Sequence, residues 1–489
     1  MLFEACWPLG RICLTIASVS EKSDQRNILE RFLGIFTEVR AGEGGLTLAM
    51  AFLIFLLLAA YYLMRPVREA LILQQGGAEA KAYLSAVMAV LLYFLVQGYA
   101  KLVSRYERTR LITVVTFIFV GCLVAFWILS RLGVPYLGYA FFVWVGIFSV
   151  MVVAQFWSYA NDVYSNEAGK RLFPLVGFGG MLGAFVGADF SDRLLELVNV
   201  YEMLLIAAVI LVVCIVITNL ISLKVWGRQQ IRVGQQSLEA WLGERKARKE
   251  REKLAFGVLR EHKYLWYIAM LILVLNLVNT TGEYILGRLV EDFGAEQVEL
   301  AVSDANSLGT NLQFGDRDLG DPNSPEAQDD FVQSTIGNFY AGFFRWMNLL
   351  GMFLQLFVVG RLVQYGGIRA GLYWLPIIAL GTYGLVFLLP ILKYVRIGKI
   401  FENASDYSIN KTTVQMLFLP TSRDVKYKAK QAIDSFFQRV GDVASAVVVF
   451  VGTMVLNLDA RGFALVNILF IVGWFFLVRG IVSEHREIE

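Results

Sequence analysis

The chain of 489 residues is short of charge, of cysteine and of histidine. Asp, Glu, Lys and Arg make up only 17% of it, against roughly 25% in soluble domains, which argues against a soluble globular fold. The net charge of +3 is too small to suggest a nucleic-acid partner. Four cysteines make no disulfide framework. Cys6 and Cys13 lie in the N-terminal tail, while Cys122 and Cys214 sit inside apolar segments, where a buried free thiol is the ordinary expectation. The only histidines, His262 and His485, stand at polar flanks, so there is no zinc or haem spacing and no metal or other cofactor is expected. With no catalytic triad and no phosphate loop either, an enzyme is the least favoured class.

What the chain has instead is apolar length. Hydrophobic residues are 57% of the total, and windows of roughly 20 apolar residues, enough to span a bilayer, recur along it. They predict an all-α membrane protein with twelve transmembrane helices. The first six lie near 45–74, 82–103, 111–132, 136–160, 172–195 and 202–225. The second six lie near 264–287, 333–359, 369–391, 397–420, 430–455 and 462–483. Lys and Arg collect in the even-numbered connections, most densely in ERKARKEREK (244–253) within the linker 226–263. The positive-inside rule therefore puts both termini, residues 1–44 and 484–489, in the cytoplasm. The connection 288–332 then lies outside. It carries Glu291, Asp292, Glu296, Glu299, Asp316, Asp318 and Asp321, and is expected to be a soluble, partly irregular excursion. In the N-terminal tail, Phe32, Ile35 and Phe36 recur at helical spacing and suggest an amphipathic segment.

The sequence repeats itself faintly. AKLVSRYERTR (100–110) resembles GRLVQYGGIR (360–369), and EAGKRLF (167–173) resembles YKAKQAI (427–433). Lys101 and Arg361, like Lys170 and Lys430, are 260 residues apart. A shared offset implies two pseudo-symmetric six-helix halves, 45–225 and 264–483. That is the internal architecture of major-facilitator-type transporters, whose halves rock about a midplane site.

Several charges fall inside these helices, where each needs a partner or a wet cavity. YYLMRPVREALIL (61–73) sets Arg65, Arg68 and Glu69 on one helical face, and Pro66 leaves the Tyr62 carbonyl without its helical donor. Arg65 and Glu69, four apart, suit either an ion pair or a ligand. Arg68 is then left for a ligand. In NLVNTTGEYILG (276–287), Asn279 fits interhelical hydrogen bonding, whereas Glu283 suits a counter-cation, a proton relay or a pair with Arg68. Arg345, between Phe344 and Trp346, is expected to stack on a planar ligand or on those rings. Glu402, Asp406, Tyr407 and Lys411 read as a pore-facing stripe. Asp434, Arg439 and Asp442 read as a structural or gating network at the cytoplasmic end. GFGGMLGAFVG (177–187) matches no nucleotide loop, and its Gly179, Gly183 and Gly187 predict a close-packing helix face.

Three long blocks resemble the ATP/ADP translocase family of bacteria and plastids. They are YLMRPVREALIL, FWSYANDVYSNEAGKRLFPLVGFGG (156–180) and DYSINKTTVQMLFLPTSRDVKYKAKQAIDSFFQRVGD (406–442). The resemblance runs from about Arg31 to the end, outside 288–332. It implies a bacterial inner-membrane antiporter that exchanges nucleotides, with arginines on the phosphates and aromatic or amide groups on the base. Substrate contacts are then expected from Arg65, Arg68, Asn279, Glu283, Arg345 and Lys411, and coupling or gating from Glu69, Asp162, Lys170, Asp406, Asp434 and Arg439. The departures are specific. Exchanging members carry an acid where this chain has Val145, another where it has Asn279, and a lysine where it has Val414. The alternatives are a transporter of another organic or phosphorylated anion, and a non-transporting sensor or scaffold on the same fold.

Overall fold

The computed structural model describes residues 27–33, 39–103, 108–164, 166–229, 263–417 and 437–488. It is almost wholly helical, as a chain must be if its backbone polar groups are to be satisfied in lipid. The helices run α1 (Ile28–Leu33), α2 (Gly44–Val103), α3 (Arg108–Arg131), α4 (Leu137–Val163), α5 (Asn166–Leu194), α6 (Glu202–Gln229) and α7 (Lys263–Leu308). A hairpin follows, β1 (Leu312–Phe314) and β2 (Arg317–Gly320), antiparallel with Leu312 opposite Gly320. Then come α8 (Pro325–Phe353), α9 (Val359–Leu388), α10 (Leu392–Ser405), α11 (Lys411–Leu417), α12 (Gln438–Phe450) and α13 (Ala460–Ile488). Single π-helical turns sit at Leu354–Val358, Asp406–Asn410 and Val451–Val455.

Among the described residues, eight helical stretches are long and apolar enough to cross a membrane. Two of them, Gly44–Leu92 and Pro325–Leu388, are 49 and 64 residues long, far beyond the roughly 20 that one crossing needs. Each is interrupted by a glycine: Gly77 at φ 69°, ψ −177° and Gly367 at φ 63°, ψ −170°. That backbone region is essentially closed to residues with a Cβ. Pro66, by contrast, is accommodated without leaving the helix.

The glycine stripe packs as its spacing predicts. A Cβ on Gly179, Gly183 or Gly187 would run into the backbone of Ala51, Phe55 or Ala59, themselves four apart on α2. Three bare glycines thus let α5 lie against α2 at backbone distance.

The 288–332 connection is more regular than the acids suggest: α7 runs unbroken through its first half, 46 residues in all, and irregular turns are confined to the stretch around the hairpin. Leu312, Ala327 and Phe331 then form a small apolar core of their own, with Val298, Ala301 and Val302 packed on it. The acids hid this helix from a hydropathy reading, although the spacing of Val298, Ala301, Val302 and Ala305 is helical. In α1, Glu30 is buried and accepts from Gly42 N at 2.7 Å. Ile35 and Phe36 lie outside the described residues.

Helices before and after residue 230 meet at the end of the bundle that bears the hairpin. Gln333 Nε2 donates to Gln74 Oε1 at 2.7 Å, Ala78 N to Glu291 Oε2 at 3.3 Å, and Tyr284 OH to Glu79 Oε1 at 3.0 Å. Arg317 on β2 donates to the carbonyls of Val198 (2.9 Å) and Leu195 (3.4 Å) just past α5, and pairs with Asp330 at 2.6 Å. At the opposite end, Glu43 pairs with Arg171 at 2.9 Å. Burial raises the Glu43 pKa, but the Arg171 bonds and the Arg40 N–H outweigh it and hold the carboxyl below its usual value.

Candidate functional site

A cavity of about 180 Å³ opens between α2, α4, α7, α10 and α12, walled by Arg65, Arg68 and Lys81 on one side and Asn279, Glu283 and Asn403 on the other. Phe142, Tyr407 and Asp442 complete much of its rim. Its charges form one connected network. Glu69, 2% exposed, is shared: Arg68 binds one carboxylate oxygen and Lys81 the other, at 2.7 Å. Lys81 reaches across to Glu283 Oε2 at 3.5 Å. Asn403 Nδ2 donates to Glu283 Oε1 at 2.9 Å. Behind this wall lies Lys399, only 1% exposed, which pairs with Glu402 at 3.0 Å and donates to Asn279 Oδ1 at 3.0 Å. Tyr383 OH donates to Glu402 at 3.2 Å. A buried lysine of this kind persists only because its desolvation is offset by such bonds.

Arg65 is held differently. Its guanidinium lies 4.0 Å from the Phe344 ring centre and 5.4 Å from that of Tyr62, whose hydroxyl accepts from Nη1 at 3.3 Å. Arg68 lies 4.9 Å over Phe142. Cation–π contacts of this sort stabilise a guanidinium without neutralising it. The wall supplied by α2 therefore presents three cations against one carboxylate, Glu69.

Several expectations need correction. Glu69 pairs with Arg68 and Lys81, not with Arg65, because the ring faces of Phe344 and Tyr62 take the Arg65 head away. Arg68 is thus not without a partner on its own helix. Glu283 meets Lys81 and, at 3.9 Å, Lys399, not Arg68. Arg345 does not line the cavity; it lies 5.9 Å over the Trp346 ring, as one of its two readings had it, and is bound by Asp192 and, at 3.4 Å, by Asp189 on α5. Lys411 is exposed and also lies off the lining, a turn beyond Tyr407. Asp406 does not join a stripe with Glu402; it accepts from Asn410 at 2.8 Å within the π turn, while Glu402 turns inward to Lys399. Asp162 is exposed at the end of α4. Lys170 and Arg439 are placed in helices, but their side chains lie outside the described set, as does all of Asp434. Asp442, expected in a network with the last two, lines the cavity.

Lys81, Lys399, Asn403 and Phe142 were missed by sequence reasoning. Lys81 reads there as a flanking charge just ahead of a helix, and Lys399 as one near a helix start. The signal that marks Lys399 is its i,i+3 relation to Glu402.

Crossing helices around a charged, partly closed cavity define an integral membrane transporter. Solved transporters share the fold. A structure of the nucleoside transporter NupG matches with a TM-score of 0.55 at 11% identity, over 90% of this chain and 98% of that one. A bacterial homologue of the lysosomal transporter Spinster matches with a TM-score of 0.54 at 13% identity, over 90% and 97%. Within that class the chain belongs to the TLC ATP/ADP transporter family, whose model matches residues 22–130, 138–289 and 378–485. "ADP,ATP carrier protein 5" of Rickettsia felis is 22% identical over 95% of this chain and 99% of its own length. "ADP,ATP carrier protein 1" of Chlamydia trachomatis is 23% identical over 61% of this chain and 55% of its own.

Proposed function

We propose that this protein is a nucleotide antiporter of the ATP/ADP type, working by alternating access across a bacterial inner membrane. The observation that carries the reading is the α2 wall. Arg65, Arg68 and Lys81 face one cavity, with Glu69 beside them on α2 and Glu283 reaching Lys81 from α7, a concentration of cations suited to a polyphosphate. The names of the Rickettsia and Chlamydia relatives support the same choice. Aromatic rings beside the cations, Tyr407 and Phe142, suit the base. Glu283, Asn279 and Asn403 on the facing helices complete the site, with Glu69 as the internal counter-ion.

Twelve crossings in two six-helix halves, 45–225 and 264–483, fit this mechanism. Breaks at Gly77 and Gly367 divide two of the eight long stretches, and α10–α11 and α12 with its π turn supply two shorter ones. Basic residues in the linker 226–263 favour cytoplasmic termini. The cross-links at the hairpin end then belong to a state closed toward the outside.

A second reading, another phosphorylated or organic anion, is favoured by one feature. Asn279, where exchanging relatives are expected to carry an acid, is engaged by Lys399. Counterflow in proteoliposomes decides between them. Loading with ADP should accelerate uptake of labelled ATP, and Arg68→Ala should abolish it while the protein still inserts. No stimulation by any nucleotide, with stimulation by other phosphorylated anions, overturns the first reading.

A further inference from the structure

A second cavity lies elsewhere. About 450 Å³ in volume, it lies where the Gly367 break meets the ends of α11 and α13, at the end of the bundle opposite the hairpin. The repeated sequence GRLVQYGGIR supplies much of its wall, so the cavity sits on the motif that the transport site leaves unexplained.

The lining has two parts. Val363, Ile368, Leu372, Met416 and Val482 make it mostly apolar. Arg369 and Arg486, both exposed, stand over it from α9 and α13. Among the described residues no carboxylate pairs with either guanidinium. Glycines 366 and 367 remove side chains from one side, and a Cβ on Gly367 would meet nothing within 4 Å. The back wall is tied together. Tyr264 OH donates to the Leu417 carbonyl at 2.8 Å, so it receives the proton of His485 Nδ1, 2.9 Å away. That joins the start of α7 to the ends of α11 and α13, giving a shape that exists before any ligand arrives.

We infer that this cavity holds the headgroup of an anionic phospholipid, its phosphate on Arg369 and Arg486 and an acyl chain along Val363, Ile368, Leu372 and Val482. Basic pockets between membrane helices near the interface are suited to such headgroups. The occupant follows from the surroundings as well as the charge. α9 and α13 expose Ile377, Leu469, Val472 and Phe476 along their outer faces, a surface made for hydrocarbon. A chain leaving the cavity continues onto it. A free phosphate would use the arginines and waste the apolar wall.

The test is native mass spectrometry on the full-length protein, titrated with phosphatidylglycerol or phosphatidylcholine, each with and without inorganic phosphate. The wild type should hold phosphatidylglycerol roughly thirtyfold more tightly than the variant R369Q/R486Q, the ratio that two basic residues at about 1 kcal/mol each correspond to. Phosphatidylcholine should bind both proteins alike, and inorganic phosphate should not displace the lipid. Val482→Trp, which fills the apolar wall and keeps both arginines, should also lose the lipid and decides the matter if the double variant does not fold. Equal phosphatidylglycerol affinity in wild type and variants overturns the proposal. So does displacement by inorganic phosphate, which would make this a free-anion site. None of these outcomes bears on nucleotide exchange, because neither arginine belongs to the transport cavity.

Discussion

Arg68 and Arg345 look alike in the sequence and end in different regions of the molecule. Both sit mid-helix among aromatics, and both suggest a ligand. Arg68 lines the central cavity and shares Glu69 with Lys81. Arg345 belongs to the seam toward the hairpin, bound by Asp192 and Asp189 of α5. A charge pattern on one helix locates a buried charge. Whether that charge is free for a substrate depends on what the neighbouring helix brings.

The contrast can be broken from both sides. The largest effect is expected from Glu69→Gln, which leaves Arg68 and Lys81 facing each other without their shared counter-ion. Removing one partner of a buried pair costs about 3–5 kcal/mol, so the thermal unfolding midpoint of the purified protein should fall markedly; an unchanged midpoint would contradict the network. Next comes Lys81→Ala. Charged hydrogen bonds contribute roughly 1.5–3 kcal/mol, so half-saturation by nucleotide should rise about tenfold to a hundredfold in counterflow.

Arg345→Ala should act on the seam and not on affinity. Half-saturation stays near wild type, while a cysteine placed at Gln74 reacts faster with an impermeant maleimide added on the hairpin side. Should affinity fall as in Lys81→Ala, the separation of the two regions is wrong. Arg317→Ala removes the clasp on the Val198 and Leu195 carbonyls and should raise the same labelling rate more modestly. Lys411→Ala is expected to change exchange least, since its side chain is exposed and off the cavity lining.

Much of this was legible before the fold was known. The α5 glycines announced backbone contact by their spacing, and the structure sets them on Ala51, Phe55 and Ala59. Arg65, Arg68 and Glu283 stood out because lipid makes each charge conspicuous. Lys81 and Lys399 did not, since a lysine near a helix end is ordinarily a solvated flank. Lys81 enters the cavity because Gly77 breaks α2 just before it and brings the next turns back toward α7. The helix beyond residue 288 was obscured by its own acids, whose side chains reach solvent while Val298 and Ala301 pack inward.

The sequence by itself determined that the chain is helical and lives in lipid, because backbone satisfaction and hydropathy are local properties that each window carries alone. It also determined family membership, through ordered blocks that survive at low identity. Only the tertiary structure decided the partners. The bonds from Lys81 to Glu283 and from Arg345 to Asp192 join residues more than 150 positions apart. Such pairs depend on how each helix is rotated and seated against its neighbours, which is set by packing over the whole bundle and left open by any single apolar run.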